Sequence, residues 1–206
     1  MAVQAEHLDQ ADRIRENHER RNASIRARTE LTDQAKAALL ARSYTDAQSH
    51  MTELQRSATA DTADRRARAE RSAFGTADLP GDAATLAISL RDAQDRSATL
   101  TSPTDAAALL ARAERSGDEP LARAVAGHAH DQAGSALGGL DPSWSNLVDA
   151  YTASRPAAAR HVATLRDLQP STEGSLRSTF AYVVPRPAEL SNTPASQLDA
   201  LATAAP

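Results

Sequence analysis

Six histidines and 27 carboxylates are the side chains of this 206-residue chain best able to do chemistry, and their densest cluster is His128-Ala129-His130-Asp131. Two imidazoles beside a carboxylate could hold a divalent metal or relay a proton if they shared one helix face. They do not: on a helix, positions i and i+2 point to different sides, and only His128 with Asp131 has the useful i, i+3 spacing. Two ligands are too few, so the cluster predicts a half-buried His128 and a solvated His130, with no metal and no cofactor. The run Gly134-Ser135-Ala136-Leu137-Gly138-Gly139 has the glycines of a phosphate loop. However, no Gly-Lys-Ser/Thr follows it, the Gly-x-Ser-x-Gly order is missing and no strand precedes it. It reads as a helix terminus followed by a turn. None of the carboxylates sits in an apolar run that would raise its pKa for general-acid work. Cysteine is absent, which removes disulfides and thiolate metal sites. No catalytic residue can be named, and the reading is of a protein that is not an enzyme.

Arginine is the other chemically able group. Of 23 basic residues only Lys36 is a lysine. The ridges Arg13, Arg15, Arg20, Arg21, Arg26, Arg28 and then Arg65, Arg66, Arg68, Arg71 could neutralise phosphates, the last four being the candidate contacts. Against this, Glu16, Glu19, Glu30, Asp61, Asp64 and Glu70 are interleaved at helical spacing, and no aromatic side chains stand between them to stack on bases. Residues 1–71 hold 13 basic and 12 acidic side chains in a chain of net charge −4, so this part is densely charged but nearly neutral. A self-paired, solvated helix surface is the favoured reading, with a nonspecific, salt-sensitive nucleic-acid contact as the alternative.

The elements that carry these groups are helical. With 46 alanines, one Trp, two Phe and three Tyr, the chain lacks the bulk of an aromatic-rich core but has the composition of helices. Ala2 to about Arg28 is a thinly apolar helix, Thr29 to Gln34 a joint with Thr32 as N-cap, and from there to Ala73 neither Pro nor Gly interrupts. Such a helix would be about 60 Å long, which predicts that it projects. It carries a heptad seam, Ala37, Leu40, Tyr44, Ala47, Met51, Leu54 and Ala58, at spacings of three and four. The seam needs a covering helix, either the N-terminal one in an antiparallel hairpin or a second copy in a coiled-coil oligomer. After Ala58 charges crowd the helix, and that stretch is expected to be solvated.

Phe74-Gly75 and Leu79-Pro80-Gly81-Asp82 end the helix and cap the next one. Start and stop signals then recur: Ser102-Pro103, Ser116-Gly117-Asp118, Asp141-Pro142, Pro156 and Gln169-Pro170. They divide the chain into a charged helical or coiled-coil region (1–75), a bundle of short αα-hairpins (76–170) and a tail (171–206). The layout is that of tetratricopeptide-type hairpins without their 34-residue self-similarity. In the tail, Phe180, Tyr182, Val183, Val184, Pro185 and Leu190 form an extended apolar stretch fenced by prolines, suited to lie in a partner's groove or on its own domain. A last short helix starts near Asn192 to Pro194 and carries Leu198 and Leu201. The fold class is all-α: a long coiled-coil-like helix or hairpin, a small multi-helix bundle and an extended tail. The N-terminal stretch and the longest apolar run, Ala106 to Ala111, fit neither a signal peptide nor a membrane span.

The strings Thr29–Lys36, Arg68–Gly75, Ala87–Ala93, Ala113–Glu119 and Phe180–Leu190 resemble a group of small helical proteins encoded near head-morphogenesis genes of actinobacterial phages and prophages. The resemblance implies a noncatalytic, scaffold-like role in virion assembly. It also implies a capsid or other virion protein as partner, and a place in the bacterial host cytoplasm or the virion. A homo-oligomer is the expectation where the seam is covered by a second copy rather than by the N-terminal helix. The alternatives are a nucleic-acid-associated helical protein and a peptide-binding helical-repeat adaptor.

Overall fold

The computed structural model describes residues 2–135, 138–169 and 180–203. It is all-helical, with no strand among the described residues. Helices α1 (Ala2–Ala27) and α2 (Asp33–Phe74) are followed by α3 (Ala83–Ala98), α4 (Pro103–Ser116), α5 (Glu119–Gly134), α6 (Pro142–Ala153), α7 (Pro156–Asp167) and α8 (Ala195–Thr203). Short 3-10 turns occupy Gly138–Leu140 and Ala188–Leu190. No helix among the described residues is long and apolar enough to cross a membrane.

The helix ends follow local chemistry. Thr32 Oγ1 accepts from Ala35 N at 3.2 Å to open α2. Asp82, Ser102, Asp118 and Asp141 each cap the following helix by accepting backbone N–H groups, and Pro stands in the first turn of α4, α5 and α6. Gly117 closes α4 in the left-handed region, φ 69°, with its N–H shared between Ala113 O and Glu114 O. A Cβ there would meet nothing within 4 Å, so the cost of adding one is backbone conformation alone. Gly117→Ala is therefore expected to lower stability by about 1 kcal/mol, measurable as a shift in urea midpoint with no change in native spectrum.

The chain folds as two compact units, Met1–Asp61 with Pro170–Pro206, and Thr62–Gln169. The first is an antiparallel α1–α2 hairpin, as its paired residues show: Lys36 Nζ donates to Arg26 O at 3.3 Å, Arg21 meets Asp46 at 3.2 Å and His7 meets Asp61 at 3.3 Å. Its core is Ala11, Ile25, Leu40, Ala41, Tyr44, Ala47 and Met51, completed from the far end of the chain by Val184, Leu190 and Leu198. Because α1 is poor in large apolar side chains, a two-helix hairpin alone would leave the seam half covered.

In the second unit α5 is the central helix, with α3, α4 and α6 packed around it. Leu121, Ala122, Ala124, Val125, Ala126 and Ala129 are all buried; small side chains on several faces let the neighbouring helices approach closely. Trp144, Leu147, Val148 and Tyr151 of α6, Val162 of α7 and Leu110 of α4 supply the bulk. The expected boundary at 75/76 falls inside this unit. Phe74-Gly75 does end α2, Gly75 N donating to Arg71 O at 2.9 Å, but Ala69 and Ala73 are already buried. The stretch expected to be solvated is exposed at Asp61, Asp64, Arg66, Arg68 and Arg71 but half-buried at Arg65 and Glu70, because small residues on one side of the last turns let that side enter the second core.

Candidate interaction site

The C-terminal segment, residues 180–203, is where sequence and geometry place the most unusual surface. Residues 180 and 181 are helical, Val183 N donates back to Phe180 O at 3.2 Å, and residues 183 to 187 have no regular secondary structure. Val184 and Leu190 are buried in the first unit's core and Tyr182 is half-buried against it. Burial raises the Tyr182 pKa. Pro185 is exposed. Phe180 and Val183 face outward, 72% and 52% exposed. The segment is thus held by Val184, Pro187 and Leu190 while Phe180, Val183 and Pro185 are offered to solvent.

The heptad seam is occupied within the chain. Leu40, Tyr44, Ala47 and Met51 are buried, and Ala37, Leu54 and Ala58 are half-buried. Self-association through these residues would have to displace α1 or the C-terminal segment. Between α2 and residues 182–184 lies a groove of about 630 Å³, lined by Tyr44, Gln48, Thr52, Arg56 and Asp199 among others.

Polar groups fix the segment in register. Arg26 donates to both carboxylate oxygens of Glu189, at 2.6 and 2.9 Å, and this hydrogen bonding draws the Glu189 pKa down to about 2. Arg15 donates to Ala181 O, Arg42 Nε donates to Ala202 O at 2.9 Å, and Arg186 lies 5.6 Å from the centre of the Tyr44 ring while donating to Thr193 O at 3.0 Å. Buried His18 is the hub, with Nδ1 3.1 Å from Ser43 Oγ and Nε2 3.3 Å from Pro185 O and 3.0 Å from Asn22 Nδ2. With its proton on Nδ1 the ring donates to Ser43 and accepts from Asn22. With the proton on Nε2 it donates to Pro185 and ties all three segments together. The Asn22 Oδ1 is buried with no partner among the described residues.

Of the arginines weighed as phosphate contacts, Arg66 pairs with Glu70 at 2.8 Å and Arg68 approaches Asp64 at 3.9 Å, both at i, i+4. Arg65 is half-buried and Arg71 exposed. Sequence spacing identified these intrahelical partners. It gave no sign of Arg15, Arg26 and Arg42 bonding to the C-terminal segment, because those contacts join residues 160 or more positions apart.

In the second unit His128 is half-buried, its Nε2 2.8 Å from Leu100 O and its ring edge-on to Trp144 at 5.7 Å. His130 is buried rather than solvated, its ring 5.7 Å from that of Phe74, because its side of the central helix faces the end of α2. Among the described residues no three His, Cys, Asp or Glu side chains are grouped to hold a metal. The glycine run ends α5 at Gly134, with Ser135 N donating to Gln132 O at 3.1 Å and a 3-10 turn from Gly138; Ala136 and Leu137 lie outside the described residues. A charged network missed in the sequence joins Arg123 to Asp78, Gly75 O and Glu119, and Glu119 to Arg155. The i, i+4 pair Glu119–Arg123 was its one local signal. No family model, curated protein or solved structure matches the chain.

Proposed function

We propose that this chain is a noncatalytic assembly protein of the phage or prophage structural kind, working by self-association and by contact with a capsid or other virion protein. The observation that carries this reading is the pair Phe180 and Val183, apolar and outward-facing on a segment whose neighbouring Tyr182 and Val184 are held by its own unit. Exposed aromatic and aliphatic groups on a prearranged backbone can dock with little ordering cost. The resemblance of the Thr29–Lys36, Arg68–Gly75 and Phe180–Leu190 strings to head-morphogenesis neighbours supports the choice of assembly over other binding roles.

The test is sedimentation of the full chain over a range of concentrations. A mass above the 21.8 kDa of one chain is expected, falling to 21.8 kDa in Phe180→Ser/Val183→Ser with unchanged far-UV dichroism. A mass of one chain at every concentration would remove self-assembly and the scaffold-like reading with it. The peptide-adaptor reading draws on a mostly apolar groove of about 500 Å³ between α4 and α6, with Ala107, Leu110, Ala111 and Leu147 on its walls. The nucleic-acid reading has less support, since Arg66 and Arg68 already face carboxylates of their own helix.

A further inference from the structure

The last turns of α2, with α3 and α5, surround a pocket of about 460 Å³ in the second unit, within the range of small-molecule sites. Phe74, Leu90, Ala98 and Ala124 give it apolar walls, and Gly127 is part of its lining. A glycine in the middle of a helix is destabilising relative to alanine. Packing does not demand this one: an added Cβ would sit 3.5 Å from Phe74, an ordinary contact. Its absence leaves room in the pocket.

His130 lines the same pocket, is only 5% exposed, and makes no hydrogen bond with any described residue. Burial lowers its pKa, so near neutral pH it carries a free lone pair. Two opposite charges in the lining, Arg71 of α2 and Asp131 of α5, form no ion pair with each other or with another described residue. Asp131 is open to solvent on one side, and partial desolvation on the other raises its pKa, a cost that a cationic group beside it would relieve. The remaining charges there are engaged. Glu70 pairs with Arg66, Arg123 with Asp78 and Glu119, and Arg166, which also acts on His130, with Asp149. The lining has two carboxylates and two guanidiniums, Glu70, Asp131, Arg71 and Arg123. That balance suits a dipolar ligand better than a net ion.

We propose that this pocket binds a free α-amino acid with an apolar side chain. Its carboxylate meets Arg71, its ammonium donates to Asp131 and His130, and its side chain lies on the Phe74–Leu90 wall over Gly127. The assignment is independent of the assembly role.

The experiment is a titration of the full chain with each of the common L-amino acids, followed by calorimetry and by the emission of Trp144, which touches His128 of the lining. Leucine-sized or phenylalanine-sized ligands are expected to bind and to raise the melting temperature. Their N-acetyl and carboxamide derivatives, each lacking one charge, should lose about tenfold or more in affinity. Asp131→Asn and Arg71→Gln change exposed residues and should weaken binding by a similar factor without altering helicity. Gly127→Ala should raise the melting temperature of the unliganded protein and reduce affinity. Binding of none of the amino acids would overturn the proposal. So would derivatives that bind as well as the parent, or undiminished affinity in Asp131→Asn.

Discussion

Replacing Tyr151 by Ala should cost the second unit about 3–5 kcal/mol, a large share of the roughly 5–15 kcal/mol that holds an ordinary domain together. Tyr151 is fully buried in α6. Its ring packs 6.1 Å from that of Phe74, and the Arg155 guanidinium carbon lies 4.5 Å from the ring centre. Its hydroxyl donates to Ala73 O at 3.1 Å, one of the terminal carbonyls that α2 leaves without an intrahelical partner. Truncation to Ala removes the ring, opens a cavity among side chains that are mostly alanine and cannot collapse into it, and leaves a buried carbonyl unsatisfied. Tyr151→Phe isolates the last effect and should cost about 1–2 kcal/mol. Trp144, the sole tryptophan, is buried in the same core, so urea unfolding followed by its emission reads this unit directly. A Tyr151→Ala midpoint within the range of Tyr151→Phe would mean that the ring contributes little and that the helices hold by their alanine contacts.

The sequence revealed most where the controlling interactions are local. Caps at Thr32, Asp82, Ser102, Asp118 and Asp141, the stop at Gly117 and the long uninterrupted α2 all depend on residues within a turn of one another, and the structure has each of them. What was not legible is how α1 and α2 are completed. Leu190 and Val184 reach the α1–α2 hairpin from more than 120 positions away, and nothing in a heptad pattern distinguishes a seam covered by a second copy from one covered by the chain's own end. The arginines of α1 looked like a ridge of surface charge for a related reason: the partner of Arg26 is Glu189, and charge patterning sees only neighbours in sequence. His130 was misread because α5 carries alanine and glycine on most faces. Its hydrophobic period is therefore weak, and a residue's depth on it depends on which helices surround it. The exposed apolar surface of the C-terminal segment was legible in part. The outward Phe180 and Val183 belong to a stretch whose composition marked it, but which of its side chains turn inward is set by the hairpin beneath.

Removing the guanidinium of Arg123 should be the most damaging change of a charge. Its side chain is 9% exposed and supplies donors to Asp78, to Gly75 O beyond the end of α2 and to Glu119 of its own helix. Arg123→Met keeps the apolar stem but leaves these acceptors to water or to Arg155. Breaking a buried pair costs about 3–5 kcal/mol, and because the Asp78 side chain is 65% exposed solvent screens part of the loss, so about 2–3 kcal/mol is expected at pH 7. The hydrogen bond from Arg123 holds the Asp78 pKa below its usual value. For Glu119 burial works upward, but hydrogen bonds from Arg155 and Arg123 outweigh it and the net shift is also down. A carboxylate whose pKa is depressed by folding stabilises the fold at pH values above the unfolded-chain pKa, about 4. That contribution is lost as pH falls through the lower folded value. The wild-type chain should therefore lose stability steeply below about pH 4, while Arg123→Met, lacking much of the linkage, should show a flatter acid limb. The gap between the two urea midpoints should narrow as acid is added. A gap that stays constant from pH 7 into the acid range would show that Arg123 acts through packing of its stem and its bond to Gly75 O, with the carboxylates contributing nothing.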